Sequence, residues 1–437
     1  MTVSPSVTFG FNVIGNVSSN SGLGVHARCL AATLLQRGCP ISIFDLDPGS
    51  RRQGFDSTFE RYTVATPRDL RHDVNFFVLQ PSALFATMAK SPEAFLTGPS
   101  LNVGLIMWEL TVVPKPWLPA LKALDVVAAA SEFCRSTFAA CMSGATTISV
   151  PCAVSLPGPL QPSRVRFGLP EKGVLFATSF EPNSDIQRKN PFAAVEAFLR
   201  AFGDDPRAHL VIKVNNADRD RAPHPVLVEL RRRCSAHATI HVLGAPMTYP
   251  EVLSLYATCD AFVSLHRAEG LGLALMEAML LGKPVIATGW SGNTTFMSHS
   301  NSCLVGYDLV PVEGSLPVYR REFLGADAFW AEPRVDDAAV WMQRLAENAP
   351  LRNSIGEAAA RDMKRYREIA SEAAFVEEIR AMWSQRAYLG ARDQRGPVPV
   401  TCLWEAAGAH RASLRQRLRN SLSRTAERHL LWRLRAR

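Results

Sequence analysis

No stretch of this 437-residue chain approaches the ~18 consecutive apolar residues of a membrane-spanning helix. The opening MTVSPSVTFGFN has neither the basic start nor the apolar core of a signal peptide, so the expected location is cytoplasmic. Pairs of the C-x-x-C kind are missing too. The nine cysteines are scattered and odd in number, which argues against a disulfide framework or a zinc site and fits a reducing compartment. Charge imbalance is absent from most of the chain: residues 1–409 balance at 39 basic and 39 acidic side chains. The net charge of +8 resides in residues 410–437, which hold nine arginines and one glutamate. No nucleic-acid reading module accompanies this polycation, so nucleic acid is not the expected partner.

What is present reads as alternating strands and helices. Short apolar runs at Val7–Gly15, Ile41–Asp45, Val74–Leu79, Leu101–Met107 and Val126–Ala130 suit buried parallel strands. Five prolines between Pro151 and Pro170 mark a linker. A second series follows at Gly173–Thr178, His209–Val214, Thr239–Leu243 and Ala261–Leu265, with helices at Pro191–Phe202, Val226–Cys234 and Pro250–Ala257. The pattern predicts two doubly wound, Rossmann-like α/β domains: 1–155, a linker at 156–171, and 172–370. Helical residues 371–389, then an exposed tether and basic tail at 390–437, complete the division. FWAEP at Phe329–Pro333 leads into the C-terminal helices.

The most informative stretch is HRAEGLGLALMEAMLLGKPVIATGWSGNTTFM, His266–Met297. A strand ends before it, a glycine loop follows, and Leu273–Leu281 reads as a helix stopped by Gly282 and Pro284. The amides at the start of that helix lack intrahelical partners and, with the aligned peptide dipoles, attract an anion such as phosphate. Glu277 falls about 6 Å further along the axis, suited to accept hydrogen bonds from a nearby diol. Glu269 stays on the loop. A glutamate pair at this spacing also arises as solvated helix-end charge, and it is the flanking strand, glycines and stop signals that favour a site. Arg188 and Lys189 lie just before the helix starting at Pro191, forming a second anion site.

The segment from Glu269 to Glu277, continuing through KPVIATGWSGN, resembles the E-x7-E signature of the retaining nucleotide-sugar glycosyltransferases of family 4, which have the GT-B fold. The resemblance implies two Rossmann-like domains facing each other across a cleft, with C-terminal helices crossing back to the first. It implies that Glu269 contacts the donor sugar, that Gly270, Leu271, Gly272, Leu273 and Ala274 meet sugar and diphosphate, and that Glu277 holds the ribose. RKNP resembles the family's phosphate-binding basic pair, which makes Lys189 and Arg188 catalytic candidates with Glu269, although many members place the Arg earlier, where this chain has Ser179 and Glu181. Thr295 stands where relatives often have an acidic residue.

In the first domain, GLGVHA fits the dinucleotide pattern G-x-G-x-x-A through Gly22, Gly24 and Ala27, with Asp45 or Asp47 some twenty residues on. Six residues separate Gly15 from Gly22, too many for that fingerprint. The resemblance instead gives Gly22 and Gly24 to the donor diphosphate. Asp45-Leu46-Asp47 imitates a metal-binding D-x-D, but it also suits a strand end entering the Pro48-Gly49 turn, and no metal or cofactor is assigned. Trp108-Glu109 resembles the tract of a subgroup in which it faces the cleft, making Glu109 the acceptor-side candidate.

The expected reaction moves a sugar from a nucleoside-diphosphate sugar to a hydroxyl of a carbohydrate or lipid-linked saccharide, with retention of configuration, in polysaccharide or glycolipid synthesis. A glycoside hydrolase and a non-catalytic nucleotide-sugar binding protein are the alternatives. The tail places Leu414, Leu418 and Leu422 on one helical arc among arginines, which makes the inner face of an anionic membrane a candidate partner.

Overall fold

The computed structural model describes residues 9–46, 56–141, 146–182, 184–215, 225–385, 388–390 and 396–408. Six parallel strands form the first sheet: β1 Phe11–Gly15, β2 Ile41–Asp45, β3 Val74–Val78, β4 Leu101–Leu105, β5 Val126–Ala129 and β6 Thr146–Ser149, in the order β2-β1-β3-β4-β5-β6. Runs such as VNFFV and LNVGL are buried along their whole length, as expected of a parallel sheet covered on both faces. Asn12, Asn75 and Asn102 face one another in register on β1, β3 and β4. Asn12 Nδ2 donates to Asn75 Oδ1 at 2.9 Å, and Asn75 Nδ2 to Asn102 Oδ1 at 3.0 Å. A one-residue slip would leave these buried amides unpaired, so the ladder fixes the register.

The second sheet is also parallel: β7 Val174–Phe180, β8 Ala208–Val214, β9 Ile240–Leu243, β10 Ala261–Ser264, β11 Val285–Thr288 and β12 Cys303–Val305, in the order β12-β11-β10-β7-β8-β9. The strand order reverses between β1 and β3 in the first sheet and between β7 and β10 in the second. Such switch points leave a crevice beyond the carboxyl ends of the strands, where α/β folds take ligands. The loop after β7 and the loop after β10 both open there, which brings Lys189 to Glu269 across 80 positions of sequence.

FWAEP leads into the Val335–Glu347 helix as expected, and is itself a strand. As β14, Phe329–Pro333, it pairs antiparallel with β13, Tyr307–Pro311, and the chain between them forms an arm off the second domain. The linker lies along the Tyr249–Thr258 helix, with the Gln161 amide donating to Ser254 Oγ at 3.0 Å and that of Ser163 to Thr258 Oγ1 at 2.9 Å.

The long helix Ala349–Glu372 ends at Ala373, in the left-handed region, and the chain restarts as Phe375–Gln385 against the first domain. Phe375 meets Phe76 edge-on at 6.2 Å, and Trp383 packs on Phe9 at 5.3 Å. The expected tether is only partly one. Residues 400–408 are helical, and Leu403, Ala406 and Ala407, spaced to share one face, are buried in a first-domain cluster with Phe77 and Leu84. The basic tail from 409 onward and Asp47 lie outside the described residues. Among the described residues, no helix is long and apolar enough to cross a membrane.

Candidate active site

Facing loops of the two domains enclose a cavity of about 770 Å³, within the ~300–1,000 Å³ usual for ligand sites. It is bordered by Gly270 to Ala274, Glu269, Glu277, Arg188, Lys189, Glu109 and Gly22. All the predicted site residues meet there except Gly24. A Cβ on Gly24 would lie 2.1 Å from the Ser19 carbonyl oxygen, so its hydrogen admits the loop's own backbone and does not face the cavity.

The loop 16–21 is held from behind. Arg28 Nη1 donates to the carbonyls of Val17 and Ser19 at 2.7 Å each, and Asp45 Oδ2 accepts from the Ser18 amide at 3.1 Å. Asp45 thus braces this loop. Ser21 caps the Gly22–Gln36 helix by accepting from the Gly24 amide at 3.2 Å. Across the cleft, Gly272 caps the Leu273–Leu280 helix at φ 98°, a left-handed conformation that any side chain would strain. The two helix N-termini, one from each domain, border one cavity, with Leu273 Cδ2 3.8 Å from where a Gly22 Cβ would stand.

The Glu269 loop is shored up by the S-G-N tract. The Glu269 amide donates to Ser291 Oγ at 2.8 Å, and the Gly292 amide returns a bond to the Glu269 carbonyl at 2.8 Å. Asn293 Oδ1 lies 3.1 Å from Nε2 of the fully buried His266. From the first domain, Ser131 Oγ donates to the Gly270 carbonyl at 2.6 Å. Thr295 accepts from the Glu132 amide at 3.3 Å, a contact across the domain interface.

Lys189 Nζ donates to Glu269 Oε1, and Arg188 Nη1 lies 3.6 Å from Glu269 Oε2. Burial alone pushes the Glu269 carboxyl up, but Lys189 and Arg188 outweigh it and hold the pKa at about 2. Burial depresses the Lys189 ammonium against the pull of Glu269. Arg188, expected to be solvated or aimed at phosphate, is buried instead. Its Nη1 donates to the Ala268 carbonyl at 2.9 Å and its Nη2 to that of Ser184 at 3.0 Å. Glu109 is likewise engaged: Oε1 lies 3.4 Å from Arg188 Nη2, and Oε2 accepts from Tyr319 Oη at 2.8 Å.

Glu277 is 4% exposed and accepts from Tyr249 Oη at 2.8 Å. Burial raises its carboxyl to about 8, against the lowering effect of the Tyr249 bond. His26 also borders the cavity, its pKa depressed to about 4 by burial. Tyr249, Tyr319 and His26 escape sequence reasoning because each sits in an ordinary helix or loop with no spacing to single it out. The S-G-N tract was visible, but its bracing role required the folded loop.

A family model described as "Glycosyl transferases group 1" matches residues 171–311. A D-inositol 3-phosphate glycosyltransferase of Stackebrandtia nassauensis is 28% identical over 165 residues, 36% of this chain and 35% of that protein. The chain thus spans about a third of the length of this curated relative. Among solved structures, sucrose-phosphate synthase from Thermosynechococcus elongatus superposes with a TM-score of 0.63 at 14% identity, covering 86% of this chain and 100% of that one. Anabaena HepE, in complex with UDP and glucose, gives 0.57 at 15% identity, covering 85% and 100%. The chain therefore has the GT-B fold of the nucleotide-sugar glycosyltransferases, with a glycosyl transferases group 1 segment at residues 171–311.

Proposed function

We propose that this chain is a retaining glycosyltransferase, resembling family 4, that moves a hexosyl-type sugar from a nucleoside-diphosphate donor to an acceptor hydroxyl. The observation that carries the reading is the convergence of two helix N-termini from opposite domains, beginning at Gly22 and after Gly272, with Lys189 on one cavity. Cleaving the bond between the anomeric carbon and the phosphate oxygen builds negative charge on the departing diphosphate. Fixed amides, dipoles and a half-buried cation aimed at that charge lower the barrier most. Glu269, held ionised by Lys189 and Arg188, is placed to accept from donor-sugar hydroxyls, and Glu277 from the ribose diol. Retention is proposed through front-face attack, in which the leaving phosphate oxygen takes the acceptor's proton, so neither glutamate acts as a base. No resident metal or cofactor enters the scheme.

Two of the superposing structures hold uridine compounds: HepE with UDP-glucose and the E. coli trehalose-6-phosphate protein with UDP-2-fluoro glucose. UDP-sugars are accordingly the first donors to test, beside GDP- and ADP-sugars. The acceptor is proposed as a carbohydrate or lipid-linked saccharide, with the tail resting on an anionic membrane surface on the cytoplasmic side. A thermal-shift screen decides the donor, since a ligand at 100 times its dissociation constant adds about 2.7 kcal/mol. No shift with any nucleotide sugar, or release of free sugar from a simple glycoside without nucleotide, would overturn the proposal.

A further inference from the structure

Glu109 was expected to face an acceptor, yet both its oxygens are committed. They form the middle of a continuous polar chain along the cavity wall: Tyr319 Oη to Glu109 Oε2 at 2.8 Å, Glu109 Oε1 to Arg188 Nη2 at 3.4 Å, Arg188 Nη1 to Glu269 Oε2 at 3.6 Å, then Glu269 to Lys189. The chain crosses between domains. Glu109 follows β4 of the first, Arg188 and Glu269 lie on the two switch-point loops of the second, and Tyr319 is carried by the arm between β13 and β14.

The arm is fixed where it meets this chain. Asp185 Oδ1 accepts from the amides of Gln187 and Arg188 at 3.0 and 3.2 Å, while its Oδ2 accepts from the Leu316 amide at 2.7 Å and Ser315 Oγ at 3.1 Å. On the other side, the Lys115 amide of the first domain donates to the Phe323 carbonyl at 3.0 Å. The Tyr319 ring stacks on Trp108, next to Glu109, with centroids 5.4 Å apart and planes 5° from parallel. Packing thus leaves the Tyr319 hydroxyl one partner and Glu109 one orientation.

Arg188 is the member whose position matters most. Its planar fork lies between two carboxylates from different domains, and among the described residues its buried Nε has no hydrogen-bond partner. Its terminal nitrogens also donate to the Ala268 and Ser184 carbonyls at 2.9 and 3.0 Å, so the fork is anchored between the two anions. With Glu109 neutral, only the two carbonyls and Glu269 would set the fork, and Arg188 would no longer hold Glu269 in one place.

We infer that Glu109 and Tyr319 are positioning residues: through Arg188 they hold Glu269 at the place where the donor sugar is gripped, and so make turnover depend on the arm and both domains being docked. This rests on the glycosyltransferase reading and deepens it. It also assigns the arm a role in the reaction, as the element that completes the donor-sugar site from the far side of the cleft. Glu109 does not take the acceptor's proton.

The test uses the full chain and three donor pairs: UDP with UDP-glucose, GDP with GDP-mannose, and ADP with ADP-glucose. The pair with the largest thermal shift is carried forward. Dissociation constants are measured for the nucleoside diphosphate and its sugar, together with nucleotide release from the sugar donor in water, a turnover that needs no acceptor. E109Q keeps an acceptor for Tyr319 but removes the negative charge that faces Arg188, and Y319F keeps the stacked ring but removes the hydroxyl. Each variant is expected to bind the free diphosphate within about twofold of the native protein and to release nucleotide about tenfold more slowly or worse, as loss of a charge-assisted contact predicts. The double variant is expected to be no slower than E109Q, because both act on one chain. Unchanged release, multiplying effects, or a parallel fall in both affinities and in melting temperature would overturn the inference, the last by showing a merely structural role. If the native protein binds and turns over none of the three sugars, the glycosyltransferase reading falls first and this inference with it.

Discussion

Glu277→Gln gives the sharpest test of the site. The native carboxyl is 4% exposed, accepts from Tyr249 at 2.8 Å, and is raised by burial to about 8. In the unfolded chain the same group titrates near 4.5. Between those values the folded protein keeps a proton that the unfolded chain has released, so the contribution of this group to stability is most favourable below about 4.5 and falls as pH rises toward 8. At about 1.4 kcal/mol per pH unit, a gap of about 3.5 units is worth on the order of 5 kcal/mol once pH exceeds 8. Glutamine preserves the shape and the Tyr249 bond without ever ionising. Its melting temperature is expected to match the native one near pH 5 and to exceed it by several degrees at pH 8.

The same residue makes donor binding pH-dependent in the opposite sense. A ribose diol is best gripped by the ionised carboxylate, so native affinity for a nucleoside diphosphate should rise about tenfold per unit between pH 6 and 7.5 and level off above 8. The variant should bind with no such slope, and at pH 8 about 10- to 100-fold more weakly than native, from the loss of hydrogen bonds to a charged group worth about 1.5–3 kcal/mol. Thermal melts and isothermal titration across pH 5–8.5 read both effects. Parallel pH curves for native and variant would refute the assignment of Glu277.

Other expectations follow from the same geometry. Lys189→Ala should weaken binding of the free diphosphate about 10- to 100-fold in a titration, since a charged donor at the leaving group is lost, with ordinary binding as the contrary result. Gly292→Ala places a methyl 2.1 Å from the Gly270 carbonyl oxygen, which must displace the Glu269 loop. Nucleotide release from the sugar donor should collapse, and native-like turnover would show the loop to be more yielding than its packing implies. Removing residues 410–437 deletes nine arginines. Binding to vesicles rich in anionic lipid, measured by co-sedimentation, should fall with that deletion and with added salt, because each arginine near the surface is worth about 1 kcal/mol. Equal binding by the shortened chain would move the membrane surface elsewhere.

Much of the fold follows from local pattern. Apolar runs such as VNFFV and HLVIKV have few alternatives to a buried parallel strand, and Gly282 with Pro284 stops the Leu273 helix whatever surrounds it. Pairing partners were less visible. β6 and β12 are short, and β13 and β14 are an antiparallel pair whose ends are separated by a seventeen-residue excursion, 312–328. The helix at 400–408 was hidden by the Gly- and Pro-containing stretch before it, and only the first-domain cluster that receives Leu403 explains its order.

The sequence by itself determined the helix starts, the glycine turns and the presence of two carboxylates with two nearby cations, because these depend on backbone sterics and on spacing within a dozen residues. The tertiary structure alone decided which charges neutralise which. Arg188 and Lys189 are neighbours in sequence, but the closing of two second-domain loops brings Glu269 to both, and docking of the first domain adds an ion pair from Glu109 to Arg188. Burial, which no local pattern sets, raises both carboxyls: it carries Glu277 up to about 8, whereas at Glu269 the charges of Lys189 and Arg188 outweigh it and hold the pKa at about 2. Electrostatic free energy depends on distance and on removal of water, and both are fixed only when chain segments remote in sequence close around one cavity.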